Sequence, residues 1–78
     1  MLTPIQCGMA RSALKWTQKD LSKKANVSAA TINSFEQGRK IHPRTMNALQ
    51  EAFLLTMFIE FSGDNGVNYH GPKREYLY

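Results

Sequence analysis

One cysteine and two widely separated histidines are all that the 78-residue chain offers to a disulfide or a zinc ion. Cys7 alone closes no internal disulfide, and His42 and His70 lack ligand spacing, which excludes a structural zinc site and fits a reduced, cytoplasmic compartment. No apolar run approaches the ~20 residues needed to span a bilayer. The longest, "AFLLTMFI" at 52–59, reads as core or subunit interface. The first residues lack the basic and apolar regions of a secretion signal. Carboxylates are sparse: Asp20, Glu36, Glu51, Glu60 and Asp64 form no close pair in sequence, and no glycine-rich loop could cradle a phosphate. These absences argue against an enzyme and imply no cofactor. Cys7 and His42 read as helix-face and loop residues rather than nucleophile and base.

What is present is positive charge, and it is segregated. From Arg11 to Arg44 there are eight Lys or Arg against Asp20 and Glu36, a balance of +6. From Thr45 to Pro72 there is no basic residue, and Glu51, Glu60 and Asp64 give −3. A field of one sign confined to one half of a small domain favours a polyanion. At this length the chain makes one domain with one modest core.

Helix signals are frequent. Thr3-Pro4 opens a first helix running to about Lys15, with Ile5, Met9, Ala10, Ala13 and Leu14 at helical spacing. Thr17 caps a second, Gln18 to Lys24 or Ala25, with Asp20 as a short capping-box acid and Trp16 and Leu21 in staple positions. Only "ANV" separates it from Ser28, the N-cap of a third helix that Gly38 ends. Two helices joined so tightly must cross steeply, a helix-turn-helix. The third helix buries one narrow stripe, Ile32 and Phe35, and its opposite stripe carries Ala30, Asn33, Ser34 and Gln37 without a charge. Uncharged amides and hydroxyls also decorate plain surfaces, but on a capped helix beside basic charge they suit base-pair edges.

After the basic loop "RKIHPR", Pro43 begins a fourth helix with Met46, Leu49, Phe53 and Met57 as its core stripe. Leu54, Leu55 and Phe58 lie outside that stripe and suggest burial under the C-terminal segment or a dimer surface. Beyond them the period changes to two: Ile59 and Phe61 alternate with Glu60, "SGDNG" is turn chemistry, and Val67 and Tyr69 alternate again. A lone hairpin is marginal in water, so this one must lean on helix four or pair with another subunit. Residues 1–58 form the helix-turn-helix part, and 59–78 the hairpin and tail of the same domain. For Trp16, Tyr69, Tyr76 and Tyr78, packing is expected rather than base stacking.

The stretch "TQKDLSKKANVSAATINSFEQGRKIHP" resembles the Cro and phage-repressor type of helix-turn-helix, often termed Xre-like, over residues 11–53. Its Gln, Val-Ser, Ile, Phe-Glu and Gly positions are filled. Ser22 replaces the alanine after the helix-two leucine, and Asn26 the glycine of the turn, where asparagine tolerates the left-handed conformation. "FIEFSGDNG" is similar to a variant in which a strand and glycine-rich turn replace the fifth helix.

The resemblance implies a mostly α, lambda-repressor-like four-helix fold ending in a short β-hairpin, and a transcriptional regulator of double-stranded DNA, a repressor acting as a homodimer. Helix three, 28–37, would enter the major groove and place Ser28, Ala29, Ala30, Asn33 and Ser34 at base edges, with Asn33 able to grip an adenine bidentately. Gln18, Lys19, Arg39, Lys40 and Arg44 would meet phosphates, Gln18 also buttressing helix three. Arg11 and Glu36 would form an internal salt bridge. Leu54, Leu55, Phe58, Ile59 and Phe61 would form the dimer surface. A competing expectation is the antitoxin of a toxin–antitoxin pair, which uses the same fold to bind a partner protein and regulate its own operon.

Overall fold

All four helices start where a side chain with a lone pair replaces a missing backbone partner. A computed structural model describes residues 1–71 and places α1 at Pro4–Leu14, α2 at Gln18–Ala25, α3 at Ala29–Glu36 and α4 at Pro43–Leu54. Thr3 with Gln6, and Thr17 with Asp20, close reciprocal capping boxes, and the Ser28 hydroxyl accepts from the Thr31 amide. At α4 the cap is His42, whose Nδ1 accepts from the Arg44 amide at 3.0 Å. Lys15 and Asn26 end α1 and α2 with φ of 58° and 57°, so Asn26 does take the left-handed place of the turn glycine. Gly38, φ 96°, turns the chain out of α3.

The core gathers around Phe53, Leu21, Ile32 and Leu49, all without solvent exposure. Trp16 stacks on Phe53 with ring centroids 5.7 Å apart, and Phe61 meets the same ring edge-on at 6.0 Å. Tyr69 lies edge-on to Phe58 at 6.3 Å. The buried face of α1 is small and polar: Gln6, Cys7 and Ala10. Ile5 and Met9, read from their spacing as core, are exposed instead. Cys7 and Ala10 let α3 and α4 approach closely, and the larger side chains are left on the outward face. Met57 also departs from the expected core stripe. Its φ of 65° breaks the helical course after α4 and leaves it 84% exposed.

Two strands, β1 (Ile59–Ser62) and β2 (Gly66–Tyr69), pair antiparallel with Ile59 opposite Tyr69 and Phe61 opposite Val67. At Gly66 a Cβ would lie 2.5 Å from the Ser62 carbonyl oxygen, so only glycine closes this turn. Buried Gln6 secures the hairpin: its Nε2 donates to the carbonyls of Gly63 at 2.9 Å and Gly66 at 3.1 Å, while its Oε1 accepts from the Thr3 amide. The Thr3 hydroxyl donates to the Asp64 carbonyl. The hairpin therefore leans on α1 as well as on α4. Residues 72–78, with Tyr76 and Tyr78, lie outside the described residues.

Candidate nucleic-acid interface

The outward stripe of α3 exposes Ala30, Asn33 and Gln37, with Ala29 and Ser34 half-buried. Ser28 is exposed, but its hydroxyl is engaged in the cap, donating to Thr31 Oγ1 at 2.8 Å while accepting from the Thr31 amide at 3.2 Å. Asn33 Oδ1 faces two donors, Gln18 Nε2 and Gln37 Nε2, each at 3.5 Å. Lys19, Arg39, Lys40 and Arg44 are all exposed and make no ion pair among the described residues. Arg39 and Lys40 follow directly on the end of α3, Arg44 opens α4, and Lys19 lies one residue from Gln18, which touches α3. Four exposed cations thus flank α3 in the sequence, one before it and three after.

Behind that face, Glu36 at the end of α3 collects donors from two other helices. Arg11 approaches side-on, Nε to Oε2 and Nη2 to Oε1, both at 2.7 Å. Gln18 Nε2 donates to Oε1 at 3.1 Å and the Cys7 thiol to Oε2 at 3.1 Å. Arg11 also donates from Nη1 to the Trp16 carbonyl at 3.1 Å, which ties the α1–α2 junction into the cluster. Both partners of the ion pair are largely covered, with side chains 20% and 12% exposed. Burial pushes the Glu36 pKa up, but the hydrogen bonds from Arg11, Cys7 and Gln18 outweigh it and hold the carboxylate below its ordinary value. Arg11 moves up, chiefly through its bond to Glu36. The Cys7 thiol is pushed up by burial first and by the adjacent carboxylate second, which keeps it a neutral donor.

Sequence reasoning missed the Cys7 thiol, the Trp16 carbonyl and Gln37 as members of this network. Helical spacing carried a signal for two of them: Cys7 is four residues before Arg11 on one face, and Gln37 four after Asn33.

Of the side chains expected on a dimer surface, Leu54, Leu55 and Phe58 are exposed, Leu55 at 76%. Ile59 is a correction: at 3% exposure it belongs to the chain's own core and offers no surface to a second copy. Phe61 is half-buried against Phe53 for the same reason, since the hairpin packs on α4 through this face of β1. Among the described residues no group of His, Cys, Asp or Glu could hold a metal ion, and no helix is long and apolar enough to cross a membrane.

Two short helices joined by a tight turn at Asn26, the second with an uncharged exposed stripe and with exposed cations before and after it in sequence, fit a DNA-binding module of the helix-turn-helix class. A helix-turn-helix family model matches residues 9–57, well over half of the chain, and the protein belongs to this family of Cro/C1-type, Xre-like DNA-binding transcriptional regulators. No curated protein matches the chain.

Proposed function

We propose that the chain is a sequence-specific repressor that binds double-stranded DNA as a homodimer, with α3 in the major groove. The observation that carries this reading is the uncharged exposed stripe of Ala30, Asn33 and Gln37, together with Lys19, Arg39, Lys40 and Arg44, which are exposed and make no ion pair among the described residues. Affinity comes from Lys19, Arg39, Lys40 and Arg44 at phosphates through release of counterions, and specificity from the α3 side chains at base edges. Ala29 and Ala30 offer only methyl contacts, for instance to thymine, or room for close approach, so Asn33 and Ser34 carry the hydrogen-bonded reading. Gln18 is committed to Glu36 and Asn33, so its part is to position α3 more than to hold a phosphate. Repression follows from occupancy, because a module seated over promoter DNA blocks access.

One short helix reads too few base pairs to single out a site among genomic competitors, which supports a dimer. Leu54, Leu55, Met57 and Phe58 supply an exposed apolar surface for it. The same surface suits a partner protein, and this favours the antitoxin as the second reading. Its mark would be a small co-transcribed neighbour that copurifies in a one-to-one complex.

Selection from a randomised duplex pool at moderate salt tests the first reading. It predicts a two-fold symmetric motif with half-sites about one helical turn apart. Retention without any motif would contradict it.

A further inference from the structure

We propose that Asn33 presents its amide hydrogens, not its oxygen, to the groove and therefore selects guanine. The inference rests on the DNA-reading role proposed for α3. The sense of an asparagine amide follows from its neighbours, and here the neighbours form a chain with one consistent solution. Arg11 has only donors and the Glu36 carboxylate only acceptors, and they meet at 2.7 Å through both oxygens. Gln18 lies 3.1 Å from Glu36 Oε1 and must turn its NH2 toward it, since its own oxygen would be repelled. The second hydrogen of that NH2 points at Asn33, 3.5 Å away, and calls for an oxygen there. Gln37 Nε2 approaches the same Oδ1 from the other side, also at 3.5 Å. Rotating the Asn33 amide by half a turn would set its NH2 against that of Gln18, which Glu36 holds in place. Oδ1 therefore faces the protein donors, and the exposed Asn33 presents Nδ2 outward.

A bidentate grip on adenine, which the sequence alone allows, needs Oδ1 free to accept from N6 while Nδ2 donates to N7. With Oδ1 occupied, adenine N6 and cytosine N4 meet a donor with a donor. Guanine presents two adjacent acceptors, O6 and N7, and no donor, which matches an outward NH2.

The test begins with the duplex recovered by selection and with Asn33→Ala, which locates the base pair where preference is lost. Duplexes carrying each of the four pairs there are then titrated with the wild-type chain by fluorescence anisotropy. The expected result is tightest binding with guanine, roughly 5- to 150-fold over adenine. Adenine as the tightest base, or an Asn33→Ala chain with unchanged preference everywhere, would overturn the proposal alone. A pool that yields no motif would overturn the DNA-reading role and the proposal together. Asn33 is exposed, so circular dichroism should show the Asn33→Ala chain folded.

Discussion

Protonating Glu36 would leave the Arg11 guanidinium partly buried against a neutral carboxyl, with the Gln18 amide and Cys7 thiol losing their charged acceptor. Because its folded pKa lies below its unfolded one, the carboxylate contributes stability that is complete above the ordinary value near 4.3 and lost as pH falls through the lower, folded value. Urea unfolding across that acid range should show the decline. In Glu36→Gln the decline should flatten, with a cost at neutral pH of about 2–4 kcal/mol, the amide NH2 now facing the Arg11 donors. A Glu36→Gln chain with wild-type stability and an unchanged acid limb would reduce the cluster to a surface contact. At the same scale, Asn33→Ala should cost about 1–3 kcal/mol on the best operator and relax preference at one base pair. Equal loss on every sequence would make Asn33 a positioning residue.

The capped helices were legible at the scale of the element because their signals are local: Thr3, Thr17 and Ser28 each satisfy amides within one turn. Asn26 and Gly38 were legible because a positive φ narrows the choice of residue. Ile5 and Met9 fail because they were judged by apolarity along one helix, whereas Met57 fails because the helical course ends before it at a positive φ. Whether a side chain is buried depends on what packs against that helix, and α1 turns Gln6, Cys7 and Ala10 inward. The role of Gln6 was hidden for the same reason. Its partners are 57 and 60 residues away in sequence, and the capping box was the only local hint. Of the interface, the α3 face and its cations were legible as residues, but the donor network behind them is long-range. Gln6→Met, which keeps the volume and loses the amide, should leave the Gly63 and Gly66 carbonyls without their donor at a cost of about 1–3 kcal/mol. Hydrogen exchange should then quicken in β1 and β2 ahead of α2 and α3. Uniform quickening would show that the hairpin is not held by this residue. On the basic loop, Arg39→Ala should weaken binding alike on all sequences and lower the log–log salt slope by about one. A sequence-dependent loss would assign Arg39 to base reading.

Across the whole molecule, eight of the ten Lys and Arg fall between Arg11 and Arg44, and four exposed apolar residues, Leu54, Leu55, Met57 and Phe58, gather at and just after the end of α4. In the proposed reading this division gives one surface to DNA and the other to a second copy. Leu55→Glu, at a side chain 76% exposed, should change the stability of the monomer by no more than about 0.5 kcal/mol. It should nonetheless abolish self-association in sedimentation and reduce operator binding to that of a single half-site. Wild-type chain that sediments as a monomer at micromolar concentration, alone and on DNA, would remove the dimer from the account. The central claim, that α3 reads bases while the loop after it holds phosphates, is tested most directly by parallel selections with two variants. From one randomised pool, Asn33→Ala should return a consensus that has lost one position in each half-site, whereas Arg39→Ala should return the wild-type consensus with weaker retention. The same consensus from both variants would contradict it.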